Sequence, residues 1–86
     1  LNKKVDLYTT PYCPYCRRAL KLLDDKGVTY TNYDVSNNRP LFETVKSQTG
    51  WDTVPQIFIE GQFIGGCDDL HALDNKGTLD GLLGLV

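Results

Sequence analysis

The chain has 86 residues, 41% of them hydrophobic and 23% charged, with a formal net charge of -2. That length suits one domain, since two cores of half the size would bury too little apolar surface, and residues 1–86 are expected to form a single domain. The globular composition argues against disorder, the scattered Lys and Arg argue against a nucleic-acid partner, and no apolar run approaches the roughly 20 residues of a membrane span.

Val5-Asp6-Leu7-Tyr8-Thr9 alternates and carries strand formers until Thr10-Pro11-Tyr12 breaks it, which predicts a first strand. From Pro14 onward Cys16, Ala19, Leu20, Leu22 and Leu23 fall on one helical face, with Arg17, Arg18, Lys21, Asp24 and Asp25 on the other. Gly27 follows the last periodic residues and suits a left-handed cap. Residues 28–35 are β-branched and aromatic, predicting a strand that completes a βαβ unit with its first two strands parallel. Ser36 to Pro40 read as turn and cap, and Leu41, Phe42, Val45 and Lys46 carry a weaker helical period ending near Gly50.

Gln56 to Glu60 and Phe63-Ile64 flank a Gly-containing turn and predict a hairpin. After Gly65-Gly66, the stretch Cys67 to Leu73 has acidic residues in its first turn and opens a helix, and residues 78–86 end in a short helical turn. The order βαβ, α, ββ, α makes this an α/β chain.

Three cysteines are an odd number and too few for a secreted disulfide scaffold. No charged-then-apolar leader opens the printed chain, and a cytoplasmic location is expected. Pro14 disfavours helical geometry at Cys13 and is itself suited to the first helical position. Cys13 is thereby placed at the helix N-cap and Cys16 one turn inside. The cap sulfur meets unpaired N–H groups and the positive end of the helix dipole, which stabilise a thiolate, so Cys13 is the expected nucleophile. Cys16, on the apolar side, is the expected resolving thiol, because exchange proceeds thiolate by thiolate.

Arg17 either adds positive potential near Cys13 or is a solvated helix charge. Cys13, Cys16, Cys67 and His71 would also count as a zinc set, but Pro14 inside the first pair and the lack of a second Cys-x-x-Cys argue against it, and no metal is expected. His71 then reads as a helix surface residue, and Cys67 as a small buried residue, a substrate-loop position or an accessory redox thiol, without assigned chemistry.

Tyr8-Thr9 before Cys13-Pro14-Tyr15-Cys16, then Thr53-Val54-Pro55-Gln56-Ile57-Phe58-Ile59, then Gly65-Gly66-Cys67-Asp68-Asp69-Leu70, closely resemble a bacterial-type dithiol glutaredoxin over nearly the whole chain. The resemblance implies a thioredoxin-like fold, a four-stranded mixed sheet flanked by helices. It also implies glutathione-dependent thiol–disulfide oxidoreductase activity on protein disulfides and glutathione mixed disulfides. Glutathione would be the reducing co-substrate, disulfide-containing or glutathionylated proteins the partners, with ribonucleotide reductase among them, and the protein a monomer.

In that family the proline matching Pro55 is cis, which would let Val54 pair with a cysteinyl peptide as an added strand. Thr53 would lie beside it, and Tyr12 and Tyr15 would be cleft walls. Gly66 would permit close backbone approach, and the helix opening at Cys67-Asp68 would receive a carboxylate while an Asp side chain takes an ammonium group. Asp68 suits that role better than Asp69, capping being the alternative for both. Two positions depart from the family. Thr10 stands where a lysine is usual, and Trp51 where a basic or amide residue is common, so the clamp for the glycine carboxylate of glutathione is altered. The alternatives are an iron–sulfur scaffold or carrier, disfavoured by Pro14 and Cys16, and a thioredoxin-like redoxin reduced by a flavoprotein reductase.

Overall fold

The computed structural model describes residues 2–86. In chain order the elements are β1 (Val5–Thr9), α1 (Pro14–Asp25), β2 (Thr31–Asp34), α2 (Arg39–Thr49), β3 (Gln56–Ile59), β4 (Gln62–Gly65), α3 (Cys67–Asn75) and α4 (Leu79–Leu83). They build a four-stranded mixed sheet in the order β2-β1-β3-β4, flanked by helices in a thioredoxin-like fold. β1 runs parallel to β2 and antiparallel to β3, and β3 and β4 form an antiparallel hairpin. No helix among the described residues is long and apolar enough to cross a membrane.

Alternation along β1 buries Val5, Leu7 and Thr9 on one face. There Leu7 and Ile57 pack with Ala19 and Leu23 of α1, Leu70 of α3, and Leu79 and Leu83 of α4. Lys26, just past α1, pairs with Asp74 and Asp80 at 2.7 Å each and ties α1 to α3 and α4. The opposite face carries an aromatic row. Tyr33 stacks on Tyr8, Tyr8 meets Phe58 edge-on, Phe58 touches Phe63, and Phe63 meets Trp51 edge-on at 5.0 Å. Edge-to-face pairs of this kind add stability beyond their buried area and orient the rings. The row therefore ends by setting the attitude of Trp51.

Two boundaries differ from the sequence expectation. The second strand spans only Thr31–Asp34 rather than residues 28–35. Val28 donates its N–H to Leu23 to finish α1, while Thr29 exchanges hydrogen bonds with the Asn2 side chain, so neither joins the ladder. α2 begins at Arg39 instead of Leu41, because Asn38 caps it through Leu41 N–H and Pro40 sits in the first turn, where no N–H is missed. The short helical turn expected within residues 78–86 is α4, with Leu79 and Leu83 fully buried.

The hairpin turn is Glu60-Gly61, with φ of 51° and 79°. Two positive φ values in a two-residue loop define the type I′ geometry, in which Asn is preferred at the first position. Glu60→Asn should stabilise the protein by about 0.5–1 kcal/mol, read as a higher urea midpoint at unchanged slope.

Candidate active site

Pro14 starts α1, and Cys13 before it is extended (φ -92°, ψ 117°), so its side chain turns back over the first helical turn. The Cys13 sulfur accepts the Cys16 N–H at 3.4 Å, one of the N–H groups that a helix start leaves without an internal partner. In its thiol form Cys13 also donates a long, weak hydrogen bond to the Val54 carbonyl at 3.9 Å. Cys13 is half-buried and reachable from solvent. Cys16 is 1% exposed. Burial is the main reason the Cys16 thiol is pushed up to about 12. The Thr10 peptide and hydroxyl lie against that sulfur and pull the other way, while the nearby Cys13 adds to the rise. The two sulfurs thus differ as the sequence implied: one is open and faces N–H groups, the other is dry and stays protonated.

Opposite Cys13 lies the loop 51–55, in which the Val54-Pro55 bond is cis. Gln56 anchors this loop. Its side chain is fully buried; Nε2 donates to the carbonyls of Trp51 at 2.8 Å and Thr53 at 3.1 Å, and Oε1 accepts from the Thr49 hydroxyl at 2.8 Å. The same Thr49 oxygen accepts the Trp51 N–H. Sequence reasoning treated Gln56 only as a strand residue. The available signal was a polar side chain heading an otherwise apolar strand.

A cleft of about 310 Å³ runs from this loop to the start of α3, bounded by Tyr15, Trp51, Thr53, Val54 and Pro55 on one side and Gly66, Cys67, Asp68 and Asp69 on the other. A β-carbon on Gly66 would come within 3.3 Å of the Trp51 ring and 3.4 Å of the Pro55 carbonyl, so glycine is what lets these walls close up. Gly65 adopts φ +129° against the Asp69 side chain. Asp69 accepts the Gly66 N–H at 3.0 Å and acts as a helix cap, whereas Asp68 is exposed at the first turn of α3. Cys67 is buried, and burial pushes its thiol up; Arg18 opposes the shift, and Asp68 and Cys13 add to it.

A second groove of about 440 Å³ lies on the other side of Val54, between Thr10 and Tyr12 and the residues Asp52 and Thr53. Tyr12 is 71% exposed and Tyr15 more than half exposed, with the Arg18 guanidinium 6.0 Å from the Tyr15 ring centre. Arg17 turns its guanidinium to the Pro11 carbonyl, donating from Nη2 and Nε at 3.1 and 3.4 Å and bracing the segment ahead of the nucleophile. The Thr10 hydroxyl is buried without a well-formed hydrogen bond.

His71 is not the surface residue expected. It is half-buried with Nε2 shut off from water and unpaired, because α3 is a short helix packed against α1, β3, β4 and α4. Among the described residues no three His, Cys, Asp or Glu side chains converge as a metal set.

Comparison with known proteins agrees with this geometry. A sequence profile described as Glutaredoxin matches residues 5–64. Glutaredoxin 3 of Escherichia coli (strain K12) is 51% identical over 79 residues, covering 92% of this chain and 95% of that protein. The solution structure of glutaredoxin from Brucella melitensis superposes with a TM-score of 0.84 at 45% identity, covering 95% of this chain and 89% of that one. A buckwheat glutaredoxin–glutathione complex superposes with a TM-score of 0.89 at 31% identity, covering 96% and 77%.

Proposed function

The chain belongs to the glutaredoxin family and is a thiol–disulfide oxidoreductase; from that premise we propose that it uses glutathione to reduce protein disulfides and glutathione mixed disulfides. The observation that carries this reading is the Cys13 sulfur. It is half-exposed on the first turn of α1, bonded to Cys16 N–H, and looks across at Val54 and the cleft behind it.

In the forward half-reaction the Cys13 thiolate attacks one sulfur of the target disulfide and expels the other as a thiolate, which takes up a proton. With a protein disulfide, Cys16 then attacks Cys13, releasing the second target thiol and leaving the Cys13–Cys16 disulfide. Two molecules of glutathione return two electrons and two protons and leave as glutathione disulfide. With a glutathionylated target, Cys13 takes the glutathione sulfur and a second glutathione removes it, so Cys16 is not required.

Glutathione fits the 310 Å³ cleft by charge and shape. Its γ-glutamyl carboxylate would meet the N–H groups at the start of α3, near Gly66, Cys67 and Asp68, and its ammonium group the free Asp68 carboxylate. Its cysteinyl backbone would pair with Val54 as an added strand, beside Thr53 and Pro55, with Tyr15 as the near wall. Trp51, held edge-on by Phe63, closes the far side. A cytoplasmic location goes with this reading, since the three cysteines do not match a secreted scaffold.

The test is to incubate the oxidised protein with reduced glutathione and follow thiol release, then to compare wild type with Cys16→Ser on a glutathionylated peptide and on a protein disulfide. The expected result is full re-reduction, with the variant keeping most activity on the first substrate and losing it on the second. Glutathione failing to reduce the oxidised wild type would sink the proposal.

A further inference from the structure

Val54 lines two grooves, so a strand added beside it has one on either side. The 310 Å³ cleft presents a helix N-terminus with its positive end, together with Asp68. The 440 Å³ groove is different in character. Of the side chains that line it, only Asp52 is charged. Asp52 is exposed and forms no ion pair among the described residues. Sharing the groove with it are Tyr12, 71% exposed and free to cover an aliphatic stem or a cation, the neutral Thr10, and Phe42. The groove adjoins the nucleophile through two of its lining residues: Cys13 donates its N–H to the Thr10 carbonyl and its S–H to the Val54 carbonyl.

We propose that this groove is a specificity site for the substrate protein, in which Asp52, with Tyr12 in the same groove, receives a Lys or Arg side chain flanking the target cysteine. The proposal rests on the reading of the protein as a disulfide reductase acting through Cys13. Charge complementarity decides the occupant: an acidic flanking side chain would meet Asp52 with no compensating cation in the groove. An extended basic side chain leaving the added strand next to Val54 places its stem along the Tyr12 ring and its head at the Asp52 carboxylate.

The test uses single-turnover exchange between the pre-reduced protein and mixed disulfides of 2-mercaptoethanol with two cysteine peptides, one flanked by Lys and one by Glu. Cys13 forms a bond to the peptide sulfur as mercaptoethanol leaves and takes up a proton. Cys16 then displaces the peptide as its thiol. Two electrons and two protons pass from the dithiol to the peptide disulfide, and no glutathione is involved. Flanking charge also alters the intrinsic reactivity of the peptide, so the readout is the Lys/Glu rate ratio of wild type divided by that of a variant.

For Asp52→Asn this quotient should be about three, the range expected of one exposed ion pair, and for Asp52→Lys about ten. Both should approach one in molar salt. Quotients near one for both variants at low salt would overturn the specificity site while leaving the reductase reading intact. Absence of exchange with either peptide would overturn both. A sustained quotient in a protein that glutathione cannot reduce would support the site and remove only the glutathione step.

Discussion

Cys13→Ser is expected to lower disulfide exchange by roughly three orders of magnitude or more while leaving the folded protein as stable as wild type or slightly more so. The two halves of that expectation have separate causes. The sulfur is the atom that attacks, and a hydroxyl does not supply an equivalent nucleophile at neutral pH. At the same position, however, a hydroxyl is a better helix cap than a thiol, and Cys13 already accepts the Cys16 N–H in the geometry that a Ser side chain uses. Single-turnover exchange with a glutathionylated peptide, alongside a urea melt, reads both. A variant retaining more than about one per cent of the wild-type rate would show that another thiol attacks.

The dry setting of Cys16 adds a pH signature. Burial, the largest cause of its shift to about 12, persists when Cys13 is tied up in a mixed disulfide, although the contribution from Cys13 itself is then gone. Cys16 must shed a proton to resolve that intermediate. The resolving step should therefore accelerate with rising pH, by up to about tenfold per unit between about pH 7 and 9, in stopped-flow release of a peptide thiol. The same shift works on stability with a definite sign. The folded reduced protein holds the Cys16 proton more tightly than the unfolded chain, so its stability falls as pH rises from the unfolded thiol value toward 12.

The redox pair was legible from local chemistry, because Pro14 and the apolar face of the first helix settle which cysteine caps and which is buried. The same holds for the hairpin, where Gly61 marks the turn, and for Asp69, whose capping contact spans only three residues. What sequence could not reveal depends on distant partners. Val28 to Tyr30 have strand composition, yet Asn2 and the end of α1 claim the Val28 and Thr29 backbone, which no propensity anticipates. His71 looks polar and peripheral until α3 is packed on its neighbours. Asp52, one residue ahead of Thr53-Val54-Pro55, carries no signal of its own in the sequence. Only in three dimensions does it share a groove with Tyr12, forty residues earlier in the chain.

Gln56 is the sharpest case of such a residue, and its replacement by Leu should cost about 1–3 kcal/mol of stability, since it leaves the part-buried carbonyls of Trp51 and Thr53 without their amide donor while the Thr49 hydroxyl falls back on the Val45 carbonyl. Those carbonyls belong to the loop that carries Val54. Freed from Gln56, the loop would shift relative to Cys13, and a displacement on the order of 1 Å is enough to lower kcat/KM by about tenfold or more. Gln56→Glu separates this positioning role from simple loss of packing. The isostere fills the same space but sets an oxygen where the amide nitrogen donated to two carbonyls. Burial and those carbonyls favour its protonated form, which can restore one donor, so the activity deficit relative to wild type should shrink as pH falls through the raised carboxyl value. Gln56→Leu has nothing to titrate and should keep a constant deficit over the same range. Parallel pH profiles for the two variants would mean that Gln56 contributes only to stability and does not hold the loop against the nucleophile.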